Sequence, residues 1–195
     1  MNYLVIYAHP DPHSFNHAIL ETVIQELDRS ENSYYLRDLY ANSFDPVLKG
    51  TDLQNIRKNR HAEDLIKEQE LVREADVLIF IFPVWWFSMP AILKGYIDRV
   101  FAEGFAFQLK KDGTSGLLRG KRAIIFNTTG GTRKNYEGSG FAEAFRKCIC
   151  SGIFHFCGID EVVQHFLYSV PAVSAKERAE MLQRVRQIMK DQILS

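Results

Sequence analysis

Hydrophobic and polar positions along this chain switch between two periods. Short apolar runs with strand-like content alternate with longer segments whose apolar residues recur every three or four positions. Tyr3 to Ala8 reads as a strand. Ser14 to Asp28 reads as a helix, with Phe15, Ala18, Ile19, Thr22, Val23 and Leu27 on one stripe. Ser33 to Asp38 is a second strand, and residues 39 to 61 are irregular or partly helical, broken by Asp45-Pro46 and Gly50. Ala62 to Ala75 is a charged amphipathic helix. Asp76 to Phe82 is a continuous apolar run, as expected of a parallel strand buried on both faces. Pro83 is expected to stop it, since proline gives no N–H to a ladder. Val84 to Phe87 then form a loop, and Ser88 and Pro90 mark a helix start, with Leu93, Tyr96, Ile97, Val100 and Phe101 on its inner face.

The remaining segments follow the same logic. Gly104 to Gly120 reads as a long connection and Lys121 to Asn127 as a fourth strand. Thr128 to Gly140 is a polar, Gly-rich loop, and a helix runs from Phe141 to about Phe156. A strand around Val162 to Leu167 precedes a last helix, Ser174 to Ile193. Ser174 and Glu177 form its capping box, and Met181, Leu182, Val185, Ile188 and Met189 its apolar stripe. Alternating βα units of this kind imply an α/β fold, with a parallel sheet and helices on both faces. Right-handed crossovers and five strands fit the flavodoxin-like order 2-1-3-4-5. Repeats, low-complexity tracts and linkers are not apparent, so residues 1–195 are expected to form one domain.

Composition narrows the function. Lys plus Arg and Asp plus Glu number 24 each, so the chain lacks the basic excess of a general nucleic-acid binder. The uncharged stretch from Val77 to Leu93 contains two prolines and is short of the roughly 20 residues of a membrane span. No signal peptide is evident at the N-terminus, and Cys148, Cys150 and Cys157 cannot all pair within one chain. A reduced, cytoplasmic protein without membrane insertion is therefore expected.

The loops after strands one, three and four should gather at one edge, where ligands of open α/β sheets sit. In the first loop, His9, Ser14, Phe15 and Asn16 precede or open a helix, an arrangement that favours a phosphate; Ser14 serving only as a cap is the plainer alternative. In the second, Trp85, Trp86 and Phe87 suggest a flat, conjugated ligand, against ordinary core packing. In the third, Gly130 and Gly131 let the backbone approach a ligand, and Tyr136 can donate a hydrogen bond; a flexible loop with an exposed tyrosine is the alternative. Together the three describe a flavin site, with phosphate, ring and polar edge each held by one loop. No GxGxxG fingerprint or Walker A motif is present. His9, His13 and His17 do not form a HExxH pattern, so no metal is expected, and His17 reads as a solvated helix residue.

These motifs resemble the flavodoxin-fold NAD(P)H:quinone oxidoreductases, the group that includes mammalian DT-diaphorase and small bacterial flavoprotein reductases. The likeness rests on Ala8-His9 with Ser14-Phe15-Asn16, the run Phe82 to Phe101, Thr128-Thr129-Gly130-Gly131, and Gly152 to Gly158. The resemblance implies that His9, Ser14, Phe15 and Asn16 hold a flavin phosphate. It implies that Pro83, Val84, Trp85, Trp86 and Phe87 lie against the ring, and that Thr128, Thr129, Gly130, Gly131 and Tyr136 line its polar edge. It also implies ping-pong transfer from NAD(P)H to a quinone, a catalytic role for Tyr136, and a homodimer with its sites at the interface. Phe107, Gln108 and Leu109 would border the quinone, where relatives usually carry tyrosines. The mammalian histidine six residues after the tyrosine is Ala142 here. A shorter segment near residues 50 to 61 and an earlier C-terminal end favour FMN, with FAD open. Within this family, a regulatory subunit of a potassium-efflux system or an azo- or nitro-reductase is the alternative. Arg133 and Lys134 could meet the 2′-phosphate of NADPH, or simply be solvated.

Overall fold

The computed structural model describes residues 1–58 and 60–194; Asn59, within the segment expected to be partly helical, and Ser195 lie outside the described residues. The chain runs β1 (Asn2–Tyr7), α1 (Phe15–Asp28), β2 (Ser33–Asp38), α2 (Gly50–Arg57), α3 (Glu63–Glu74), β3 (Val77–Pro83) and α4 (Ala91–Val100). It continues through β4 (Phe107–Lys110), β5 (Gly113–Gly116), β6 (Arg122–Thr128), α5 (Arg133–Gly138), α6 (Phe141–Arg146), a π-helical segment (Lys147–His155), β7 (Glu161–Leu167) and α7 (Ala175–Leu194). Five strands form a parallel sheet in the order β2-β1-β3-β6-β7; counted among themselves this is the expected 2-1-3-4-5.

Alternate strand residues feed two separate apolar clusters, as the period of two requires. Tyr3, Val5, Val77, Ile79, Ile124 and Phe126 meet Ile19, Val23 and Leu27 of α1 and Val185 and Met189 of α7. Leu4, Ile6, Leu78, Phe80, Ala123 and Ile125 meet Leu65 of α3, Tyr96 of α4, Phe145 of α6 and Phe154 of the π segment. The continuous apolar run of β3 is buried at every position because it serves both clusters. The α7 capping box is present as expected: the Ser174 amide donates to Glu177 Oε2 at 2.8 Å and the Glu177 amide to Ser174 Oγ at 3.2 Å.

Several expectations need correction. Pro83 does not fall outside β3 but is its last residue, opposite Thr128; the next ladder donor is the Val84 amide, 2.8 Å from the Thr128 carbonyl. Ser88 does not cap α4, since Pro90 occupies the cap position and no side chain bonds there. The connection after α4 contains an antiparallel hairpin, β4–β5. The Gly-rich loop contains α5, capped by Thr132 Oγ1, which accepts from the Asn135 amide at 3.2 Å. The helix from Phe141 changes at Lys147 from α to the wider π winding. The His17 ring is half-buried against Tyr7 rather than solvated, with ring centroids 6.0 Å apart.

Candidate active site at the carboxyl edge of the sheet

All five sheet strands are parallel, so their carboxyl ends share one rim, and the loops after β1, β3 and β6 meet there. A cavity of about 540 Å³ is lined by His9, Ser14, Phe15, Asn16, Pro83, Val84, Trp85, Trp86, Thr128, Thr129 and Gly130. Phe87, Gly131 and Tyr136 line an adjoining cavity of about 700 Å³. Every residue assigned from the sequence to cofactor binding therefore lines one of these two cavities. Phe107, Gln108 and Leu109 do not. They lie on β4, with Phe107 against Phe156 at 5.1 Å between ring centroids and Gln108 in a separate hollow beside Arg57 and Glu103.

The loops are tied to one another. Asn16 Nδ2, at the start of α1, donates to Thr128 Oγ1 at 2.8 Å, and the Val84 amide donates to the Thr128 carbonyl at 2.8 Å. Thr128 thus links the first helix to the aromatic loop. Asn16 is buried, and its Oδ1 has no partner among the described residues. A buried acceptor without a partner is costly, so this atom suits a donor on a bound group. Ser14 caps α1 by accepting from the His17 amide at 3.2 Å, and the amides of Phe15 and Asn16, which intrahelical bonding leaves free, face the same end. The Asp11 amide donates to His9 Nδ1 at 3.0 Å, which places the ring proton on Nε2. Burial holds the His9 imidazole below its usual pKa, so at neutral pH it is an uncharged donor. The lining of the first cavity contains no Lys, Arg, Asp or Glu; an anion there would be held by amides, hydroxyls and the helix dipole.

The second loop is a tight two-residue turn. Trp85 and Ser88 exchange two backbone hydrogen bonds, of 3.0 and 2.9 Å. The central residues, Trp86 and Phe87, both have positive φ, 49° and 57°. Such turns are normally made by Asn-Gly, because side chains with a Cβ are strained there by about 1–2 kcal/mol each. This chain puts two large aromatics in that position and leaves Trp86 97% exposed and Phe87 50% exposed. For Trp86 neither packing nor backbone preference accounts for that choice, which makes the turn a functional candidate. The Phe87 ring lies 4.0 Å from that of Phe141, tilted by 30°, and 5.6 Å from that of Tyr136.

The third loop brings its backbone close to Tyr136. A Cβ on Gly131 would lie 2.8 Å from the Tyr136 ring, so only glycine fits; a Cβ on Gly130 would meet no atom, leaving that side open to the cavity. The loop is braced from behind by the residues after β7. The Thr129 amide donates to the Leu167 carbonyl at 2.9 Å, the Val170 amide to the Thr129 carbonyl at 3.0 Å, and the Ser169 amide to the Gly131 carbonyl at 2.9 Å. Tyr136 is buried among Phe87, Phe166 and Tyr168, and burial raises its pKa, which keeps the hydroxyl protonated. Ala142 is buried in the core, while Phe141 before it borders the cavity. Sequence reasoning missed Phe141, and also Val170 and Pro171, which complete the first cavity. The last two follow a fifth strand ending on the same rim, which was the available signal. Among the described residues, no group of three or more His, Cys, Asp or Glu converges as a metal site would require, and no helix is long and apolar enough to cross a membrane.

The chain is similar to known proteins over almost its whole length. It is 34% identical over 188 residues to an uncharacterized NAD(P)H oxidoreductase of Haemophilus influenzae, covering 96% of this chain and 93% of that protein. It is 35% identical over 213 residues to the human ribosyldihydronicotinamide dehydrogenase [quinone], covering 97% of this chain and 92% of that one. Among solved structures, the NAD(P)H:quinone oxidoreductase of Methanothermobacter marburgensis superposes with a TM-score of 0.89 at 28% identity, covering 97% of each chain. The model of the flavodoxin-like fold family matches residues 1–189, and the chain belongs to that family.

Proposed function

We propose that this chain is a flavin-dependent NAD(P)H:quinone oxidoreductase, built as one doubly wound domain with helices on both faces. The observation that carries the reading is the strained, exposed Trp86-Phe87 turn beside an uncharged cavity that ends on the free amides of α1. The residues present fit a flavin: an apolar aromatic wall, a helix N-terminus for a phosphate, and a buried Asn16 acceptor awaiting a donor. The names borne by the human and archaeal relatives agree with this activity.

A bound flavin supplies two-electron chemistry, exchanging a hydride equivalent with a dihydronicotinamide and with a quinone. The protein's part is placement. His9, Ser14 and the amides of Phe15 and Asn16 hold the phosphate, and FMN, with a single phosphate, suits the compact site better than FAD. Trp85, Trp86 and Phe87 fix the plane against which a flat reactant stacks, which supplies the near-attack geometry. Tyr136 keeps its proton and donates a hydrogen bond where negative charge develops. Donor and acceptor use the same cavity in turn, hence ping-pong kinetics. In this reading the molecule is a homodimer, and β4, with Phe107, Gln108 and Leu109, borders the quinone in the partner's site.

The test is the visible spectrum of the purified protein, followed by identification of the pigment released on denaturation. A flavin band bleached by NADH, NADPH or dihydronicotinamide riboside and restored by a quinone supports the reading. A colourless protein that takes up neither FMN nor FAD ends it. Tyr136→Phe should slow at least one half-reaction; unchanged rates for both would remove Tyr136 from the mechanism.

A further inference from the structure

A further cavity, of about 230 Å³, lies along β7, the last strand of the sheet. Its chemistry differs from the active-site cavities. Arg133, Arg146 and Arg184, all exposed, line it from α5, α6 and α7. Phe166 and Tyr168 lie side by side, 5.4 Å apart and 21° from parallel, and each carries a guanidinium over its face: Arg146 over Phe166 at 5.3 Å and Arg133 over Tyr168 at 5.5 Å. Two like charges are thus held over neighbouring rings. Arg146 and Arg184 have no carboxylate within salt-bridge distance among the described residues. Glu137 is the one carboxylate in the lining; it lies 3.8 Å from Arg133 Nε and accepts from the Tyr168 hydroxyl at 3.4 Å. His165 adds a buried Nε2 without a partner among the described residues. Forked guanidiniums backed by aromatic faces are suited to a phosphate monoester.

The cavity's position gives the phosphate a source. Tyr168 in its wall is 5.9 Å from Tyr136, ring to ring, and Tyr136 lines the candidate hydride-transfer cavity. Only α5 separates the two hollows: Tyr136 faces one and Arg133 with Glu137 the other. A dinucleotide with its nicotinamide beside Tyr136 and its other end directed past α5 would bring its second ribose to β7. We propose that this arginine-lined cavity binds the 2′-phosphate of NADPH and selects it over NADH. The naming of the dinucleotide rests on the reductase reading; the anion site itself does not.

The experiment titrates 2′,5′-adenosine bisphosphate, 5′-AMP and inorganic phosphate into the purified protein by calorimetry. It uses wild type, Arg184→Ala, and Arg146→Gln combined with Arg184→Ala. The bisphosphate should bind at least about tenfold tighter than 5′-AMP or phosphate, and the double variant should lose about tenfold or more of that affinity. In turnover, the KM for NADPH should rise by about the same factor, with kcat and the KM for NADH unchanged. Arg184→Ala, on an exposed helix face, should give part of the loss even if the double variant folds poorly. Equal binding of the bisphosphate and 5′-AMP, or equal binding by wild type and both variants, overturns the proposal. Inorganic phosphate binding as tightly as the bisphosphate overturns the dinucleotide assignment, as does dihydronicotinamide riboside matching NADPH in KM. If the protein neither holds flavin nor turns over, the reductase reading fails while the titration still decides the anion site.

Discussion

The Trp85–Ser88 turn and the Arg99 anchor are two costly local arrangements in this molecule, and they are resolved in opposite ways. Arg99 on α4 is buried, which costs several kcal/mol for an unpaired guanidinium. Each of its three nitrogens is answered within the chain: Nε donates to Asp52 Oδ2 of α2 at 3.0 Å, one terminal nitrogen to the Asp45 carbonyl at 2.8 Å, the other to Asp64 Oδ2 of α3 at 3.1 Å. Burial alone would raise the Asp52 carboxyl pKa; the bonds from Arg99 and the Lys49 amide bring it below its ordinary value. The aromatic turn has no such answer. Its backbone strain and exposed rings are left standing by the fold. A cost balanced internally marks architecture, and one left unbalanced marks a surface meant for something else.

This contrast can be broken at either end. Arg99→Leu should have the largest effect, a loss of about 3–5 kcal/mol, because Asp52 is left buried without a counter-charge, with only the Lys49 amide bonded to it. Urea unfolding measures it, and a loss below about 1 kcal/mol would mean that the anchor is dispensable. Gly95→Ala strikes the same anchor through packing, since its Cβ would fall 2.1 Å from the Pro46 carbonyl oxygen. Overpacking of this kind costs about 1–3 kcal/mol. At the other end the sign reverses. Trp86→Asn with Phe87→Gly installs the residues that positive φ prefers, and should stabilise the flavin-free protein by about 1–2 kcal/mol. The same variant should lose flavin on gel filtration; retained flavin would remove the turn from the site.

The smallest expected effect concerns pH. Burial lowers the imidazole pKa of His9, His61 and His165 below the ordinary 6.5. Their unfolded forms then bind protons first as pH falls, so stability should decline from about pH 6.5 downward. His165→Gln should flatten that decline in thermal melts taken between neutral and mildly acidic pH. An unchanged slope would show that His165 does not contribute.

The parts of the fold governed by periodicity were legible. Apolar runs located β1, β3 and β6, and helical stripes located α1 and α7, because burial of a face leaves its mark residue by residue. The β4–β5 hairpin was not, since Gln108 to Gly116 is mostly Lys, Asp, Gly, Thr and Ser, with no buried face to alternate. The π segment was also hidden: α and π windings share one apolar pattern over so short a stretch. At the site, residue types pointed to the right loops, but the positive φ of Trp86 and Phe87 could not be read from side chains that ordinarily avoid it. Phe141 was read only as the start of a helix, because its contact with Phe87 depends on how α6 approaches the turn. The arrangement at β7 joins residues from four elements, which no local pattern records.

Both tryptophans of the chain are in the strained turn, side by side. The indole emission of this protein is therefore a signal from one place. It is nearly blind to the helices and to the far rim of the sheet, and it sits against the cavity wall. A ring stacked there would quench it at the rate of arrival, so stopped-flow fluorescence can time occupancy of the site separately from any chemistry that follows.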